Sequence, residues 1–234
     1  MKKTFLTATG AALLLATMPG AYAVPTLTLS DGNPLDTVVI TDGSGLDGNP
    51  LAGAVTYNGN VGANWTVNIV TSLSKPVVGS GLLPMLTLQG TDQSRGAGTL
   101  QITWSDTGFG PLASGEGFVA TSASTALLPG GTLVMKTYGD TANAINGNDG
   151  STAQSTQTFV TNPAHGTTAA PLGGPLGYPY SLTVEFDLTH TIGGTSLPNG
   201  TLQTQTVPDG GSTLLLLGSV LSSLGLVGLR RNRL

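Results

Sequence analysis

Apolar and polar residues alternate with a period of two in stretch after stretch of this chain, and that period belongs to strands half buried on one face. In residues 64–69, Trp65, Val67 and Ile69 point one way while Asn64, Thr66 and Asn68 point the other. In residues 99–104, Leu100, Ile102 and Trp104 oppose Thr99, Gln101 and Thr103. In residues 181–188, Leu182, Val184, Phe186 and Leu188 oppose Ser181, Thr183, Glu185 and Asp187. Shorter runs at 27–29, 37–41, 54–57, 85–89, 117–121, 132–137, 157–161 and 201–206 fit strands as well. Both tryptophans alternate in register with aliphatic residues, so the pattern assigns them to a core.

Turn chemistry separates the runs. Asp31-Gly32, Asp42-Gly43, Asp47-Gly48, Asn58-Gly59, Asn146-Gly147, Asp149-Gly150 and Asn199-Gly200 all supply residues that tolerate positive φ. Many short strands with such spacing predict an all-β fold, an antiparallel β-sandwich with jelly-roll-like wiring. Proline and glycine crowd residues 164–179, which reads as a long surface loop.

The ends differ from this body. Lys2 and Lys3 precede an apolar run over residues 5–18, Pro19 and Gly20 break it, and Ala21-Tyr22-Ala23 is a small-x-small site. That order is the order of a secretory signal peptide, cleaved after Ala23, with Ala21 and Ala23 read by signal peptidase. At the other end, Val207, Pro208, Asp209, Gly210 and Gly211 form a break. Residues 212–229 carry no charge, and Arg230, Arg231 and Arg233 follow. Eighteen residues of helix would span roughly 27 Å, enough for a hydrocarbon core. The arginines would stop transfer and stay on the cytoplasmic side. The sequence therefore divides into a signal helix at 1–23, a sandwich body at 24–206 and a tail with a transmembrane helix at 207–234.

This three-part tail resembles the C-terminal sorting signal of exosortase substrates, the PEP-CTERM type, in the variant where Asp209 replaces Glu and Gly210 follows. The resemblance covers residues 207–234. It implies an exosortase partner, a membrane-embedded cysteine protease-transpeptidase cutting near the motif, and release or transfer to the cell surface. Within the body, Leu27 to Gly32, the strands at 53–57 and 65–74, and Ser105-Asp106-Thr107-Gly108-Phe109-Gly110-Pro111 look like a β-rich body recurrent among exosortase-sorted proteins. That second likeness covers about residues 27–111 and implies no activity.

Charge narrows the partners. The body carries eleven acids against Lys75, Arg95 and Lys136, a net charge of −8 against −4 for the whole chain. So few bases argue against nucleic acid and anionic membrane surfaces. The chain has no cysteine, so an exported body must hold together without disulfides.

The catalytic signatures are sparse. Gly43-Ser44-Gly45-Leu46-Asp47-Gly48 matches G-x-G-x-x-G, but Asn49-Pro50 follows and no helix pattern opens there, so a glycine-rich turn is the reading. Glu185 and Asp187 share one strand face roughly 7 Å apart, a separation at which paired acids can hydrolyse glycosides. One sandwich family of glycosidases carries a Glu-x-Asp strand of this kind with a further Glu, and here Thr189-His190 stands in its place. A solvated strand face explains the same two acids. His165 and His190 lack zinc-ligand spacing, and no G-x-S-x-G elbow occurs. Asp42, Asp47 and Asn49 form one oxygen-rich loop, and Asn146, Asn148 and Asp149 another. Calcium takes such ligands, but neither spacing matches an EF-hand loop or a nonapeptide calcium repeat, and ordinary Asx turns are the main reading.

Three roles follow as expectations. The first is a non-enzymatic envelope or matrix protein associated with exopolysaccharide in a biofilm. The second is a carbohydrate-binding module or adhesin, and the third a glycosidase using Glu185.

Overall fold

The computed structural model describes residues 24–112, 116–124, 126–149, 155–160, 164–171 and 177–206. The signal helix, the sorting motif, the transmembrane helix and the arginine cluster lie outside the described residues.

Among the described residues thirteen strands carry the fold. They are β1 Thr26–Ser30, β2 Val38–Thr41, β3 Ala54–Val61, β4 Trp65–Leu73, β5 Met85–Ser94, β6 Gly98–Phe109 and β7 Glu116–Ser124, followed by β8 Thr132–Asp140, β9 Ser155–Phe159, β10 Ala164–Pro171, β11 Tyr180–His190, β12 Gly194–Ser196 and β13 Pro198–Thr206. A 3-10 turn at Pro34–Asp36 separates β1 from β2. Every strand pairing is antiparallel.

The strands form two sheets. One runs β2-β1-β6-β11-β8-β9, and the other runs β10-β7-β13-β5-β4-β3 with β12 beside β5. One hydrophobic cluster takes residues from both: Leu27, Ile102, Trp104, Val184, Phe186 and Met135 from the first, Trp65, Val67, Ile69, Leu88, Phe118 and Leu202 from the second. The molecule is a β-sandwich because each sheet has one apolar face and the two cover each other. All the strand runs read from the sequence lie within or overlap observed strands, and Trp65 and Trp104 are both buried.

Three sequence expectations are corrected. Asn58-Gly59 is inside β3, paired with Asn68 and Val67, and the hairpin turns instead at residues 62–64 with Gly62 at φ +57°. A Cβ at Gly59 would sit 2.3 Å from the Tyr57 hydroxyl oxygen, so glycine there makes room for the ring. Asn199-Gly200 is inside β13. A Cβ at Gly200 would meet the Phe186 ring at 2.8 Å and the Met135 methyl at 2.9 Å, so this glycine lets the opposite sheet approach. Finally, residues 164–171 are strand, not loop: all eight pair with β7. The strand lies at the sheet edge, where Pro171 at its end removes no ladder bond inside the sheet.

Candidate functional site

The acid pair read from the sequence sits on β11, near the centre of its sheet, on the face turned away from the core. Alternation puts Val184, Phe186 and Leu188 inside and leaves Glu185 and Asp187 outside. Register then sets Lys136 of β8 opposite Glu185 and Tyr138 opposite Thr183. Lys136 Nζ reaches both acids, 2.7 Å from Glu185 Oε1 and 2.5 Å from Asp187 Oδ2. Tyr138 donates its hydroxyl to Glu185 Oε2 at 2.7 Å, and Gln101 of β6 donates Nε2 to Asp187 Oδ1 at 3.2 Å.

These contacts fix the charges. Hydrogen bonds to Asp187 and Glu185 hold the Lys136 ammonium well above its ordinary pKa. Burial, and then the bond to Glu185, push the Tyr138 phenol up as well, so it keeps its proton. Glu185 is only 8% exposed, so the open, solvated strand face expected from alternation is covered there by side chains of β8.

Two open depressions meet at this cluster. One, of about 440 Å³, is lined by Lys136, Tyr138, Glu185, Asn148, Ser155 and Thr156. The other, of about 390 Å³, is lined by Ser30, Asp31, Thr99, Gln101 and Asp187. Glu185 borders the first and Asp187 the second, so polar groups from β1, β6, β8, β9 and β11 form a band across the outer face. Residues 141–149, which follow β8, lie against one side of it. Asn143 Oδ1 accepts from the Gly108 amide at 2.7 Å. Asn146 donates its amide to Ser105 Oγ at 3.0 Å and its side chain to Thr28 Oγ1 at 3.2 Å. Both asparagines hold positive φ, +59° and +56°, which bends the loop back over the sheet.

The glycine-rich loop behaves as turn chemistry. The Gly43 amide donates to Asp47 Oδ2, and no helix follows. Asp47 Oδ1 accepts from the Asn49 and Thr56 amides, Asp42 Oδ2 from the Gly53 amide, and Asn49 Oδ1 from the Leu51 amide. Asp42, Asp47 and Asn49 thus serve the loop as main-chain acceptors. In the second loop Asp149 Oδ2 accepts from the amide and hydroxyl of Thr141. Among the described residues no three His, Cys, Asp or Glu converge as a metal cluster.

His190, which stands where a further glycosidase acid would lie, is turned into the core. Its Nδ1 is 2.7 Å from Ser94 Oγ, its Nε2 2.8 Å from Ser196 Oγ, and its ring lies against Trp65, tilted by 47° with 4.8 Å between centroids. Burial lowers its pKa, so it serves there as a neutral hydrogen-bonding bridge. Asp92 on the neighbouring inner face is fully buried, and neither carboxyl oxygen has a hydrogen-bond partner among the described residues. A third buried cluster joins Lys75 to Asp106. No local pattern marks the longer-range pairs, because Lys75 and Asp106 lie 31 residues apart and Ser94 and His190 lie 96 apart.

No protein-family model matches the chain, and neither does any curated protein. Solved structures with some likeness include the K1 cleaved adhesin domain of Lys-gingipain from Porphyromonas gingivalis W83. It is 12% identical, with 69% of this chain and 95% of that chain covered, at a TM-score of 0.33. Another comes from work on the promiscuous specificity of carbohydrate-binding modules of the β-sandwich superfamily. It is 10% identical, with 80% of this chain and 84% of that chain covered, at a TM-score of 0.31. Likeness of this degree decides nothing about the role of the present chain.

Proposed function

We propose that this chain is an exported, non-enzymatic protein of the cell envelope or extracellular matrix, sorted by an exosortase and associated with exopolysaccharide. The observation that carries the proposal is the ordered tail: Val207 to Gly211, an uncharged apolar segment, then Arg230, Arg231 and Arg233, in a chain that also opens with a signal-peptide pattern. In this reading the tail helix is a transient anchor in the cytoplasmic membrane. Pro208 and the two glycines interrupt it at the outer boundary and leave extended backbone for the protease. The geometry of the body supports the non-enzymatic half. Glu185 and Asp187 share Lys136 and are further engaged by Tyr138 and Gln101, which fixes them as a structural array. The jelly-roll wiring belongs to the same proposal. It is supported by β13 returning from the end of the body to lie between β5 and β7, a Greek-key style of connection.

Mass spectrometry of the mature C-terminus tests the sorting. Processing near Val207–Gly211 is the expected result. Replacing Pro208 and Asp209 with Ala should leave uncleaved precursor in the membrane. Processing of that variant at the wild-type rate sinks the exosortase reading in favour of a plain anchor.

A second reading has its own observation. The polar band offers a row of fixed donors and acceptors, which is what recognition of a sugar hydroxyl array needs. On this reading the body binds a glycan across Lys136, Tyr138, Glu185 and Gln101, and Tyr138→Phe weakens binding on a glycan array while the fold persists. Glycan turnover that Glu185→Gln abolishes would instead make the chain a glycosidase.

A further inference from the structure

Lys75 and Asp106 occupy a place in the fold that the polar band does not explain. Lys75 lies two residues beyond β4 in one sheet, and Asp106 lies on β6 in the other. The Asp106 side chain is fully buried and that of Lys75 is 13% exposed, with Nζ 2.7 Å from Oδ2. The ring of Phe109 lies 3.8 Å from the same nitrogen and shields it from water. Each remaining polar atom is also placed. Ser74 donates its hydroxyl to Asp106 Oδ2 at 2.5 Å. The Thr107 amide donates to Asp106 Oδ1 at 2.7 Å. Lys75 Nζ also donates to the Thr107 carbonyl.

A buried ion pair is a weak source of stability, because desolvating both charges offsets most of their attraction. The same geometry, read as a reaction centre, accounts for every group in it. We propose that Lys75 and Asp106 condense into an amide, a self-made covalent cross-link between the two sheets.

The atoms balance without a co-reactant. A proton passes from the Lys75 ammonium to Asp106 Oδ2 across their direct contact, giving an amine and a carboxylic acid. Burial favours this, since it pushes the Asp106 carboxyl up despite the opposing charge and hydrogen bonds of Lys75. The amine lone pair attacks Cγ and the carbon–nitrogen bond forms. The oxyanion develops on Oδ1, at the Thr107 N–H already directed to it. A second proton leaves the nitrogen and reaches Oδ2 through the Ser74 hydroxyl, the carbon–Oδ2 bond breaks, and water departs past the exposed edge of Lys75. The amide keeps one N–H, for which the Thr107 carbonyl is the acceptor in place. Nothing is oxidised or reduced. Pre-positioned partners with no competing water are the condition under which such a condensation proceeds unaided.

The consequence suits the chain. It has no cysteine, so a covalent tie between sheets can come only from other side chains. The segment Ser105-Asp106-Thr107-Gly108-Phe109, conspicuous in the sequence, supplies the carboxyl, the oxyanion donor and the shielding ring together. The proposal is independent of how the protein is sorted.

The test uses the full chain, purified in soluble form with a sheet-type far-UV spectrum, then unfolded and digested with trypsin. Arg95 lies between the two residues, and Pro76 prevents cleavage after Lys75. The expected result is that the peptides on either side of Arg95 remain joined as one branched species, lighter by one water than their sum. Lys75→Arg and Asp106→Ala should each give two separate peptides of full mass. The digest is read on unfolded chains, so a variant that does not fold still reports. Two separate full-mass peptides from the wild type would overturn the proposal.

Discussion

A carboxyl group buried without a hydrogen-bond partner is costly to a core. Asp92 follows Leu86, Leu88 and Gly90 on the inward face of β5, and burial pushes its pKa from 3.8 up to about 8. The folded state therefore holds a proton on Asp92 that the unfolded chain releases near pH 4. Between about pH 4 and 8 the native state binds more protons, so stability falls as pH rises through that window, by at most about 1.4 kcal/mol per pH unit. Asp92→Asn should flatten this dependence and stabilise the protein most at and above pH 8, as measured by urea unfolding across pH. A wild-type stability that rises over the same window would contradict it. Trp104 is the opposite case, a large side chain with every part satisfied. It is fully buried, and its Nε1 donates to the Leu73 carbonyl at 3.1 Å across the sheets. Trp104→Ala should cost about 3–5 kcal/mol. Unchanged stability in a denaturant titration would place the ring outside the core.

Glycines in this molecule are of two kinds, and only their surroundings tell them apart. Gly200 within β13 touches Phe186 and Met135 of the other sheet, while Gly45 has nothing within 4 Å of a would-be Cβ. Gly200→Ala should destabilise the domain by about 1–3 kcal/mol through overpacking. Gly45→Ala should stay within about 0.5 kcal/mol of the wild type. Equal effects of the two in thermal unfolding would mean that the sheets do not meet at Gly200. The same contrast explains why Asn-Gly misled at 58–59 and 199–200. The dipeptide is a turn signal by conformational freedom, but here its glycines serve close approach. The edge strand β10 was hidden for a related reason. Its composition is that of a loop, and it is strand because β7 offers an unpaired ladder beside it.

At the scale of the molecule, one shared core and two sheets imply that residues 24–206 fold without either end. A protein of that length should give a sheet-dominated far-UV spectrum, and a strongly helical one would refute the sandwich. Chelation by EDTA should leave its Tm unchanged, because Asp42 Oδ2, Asp47 Oδ1 and Asn49 Oδ1 already accept from main-chain amides. A fall in Tm on chelation, reversed by calcium, would show a cation there.

The sequence by itself determined the all-β class, the strand runs, the burial of both tryptophans and the outward face of Glu185 and Asp187. All of these rest on a period-two pattern that acts over a few residues, so the local order of the chain contains them. Only the tertiary structure decided that Lys136 and Tyr138 would hold that acid pair, that His190 would turn inward between Ser94 and Ser196, and that Lys75 would meet Asp106. All of those contacts except His190 with Ser196 join residues 31 to 96 positions apart in sequence. Register and sheet order bring them together, and neither is set by any stretch of residues taken alone.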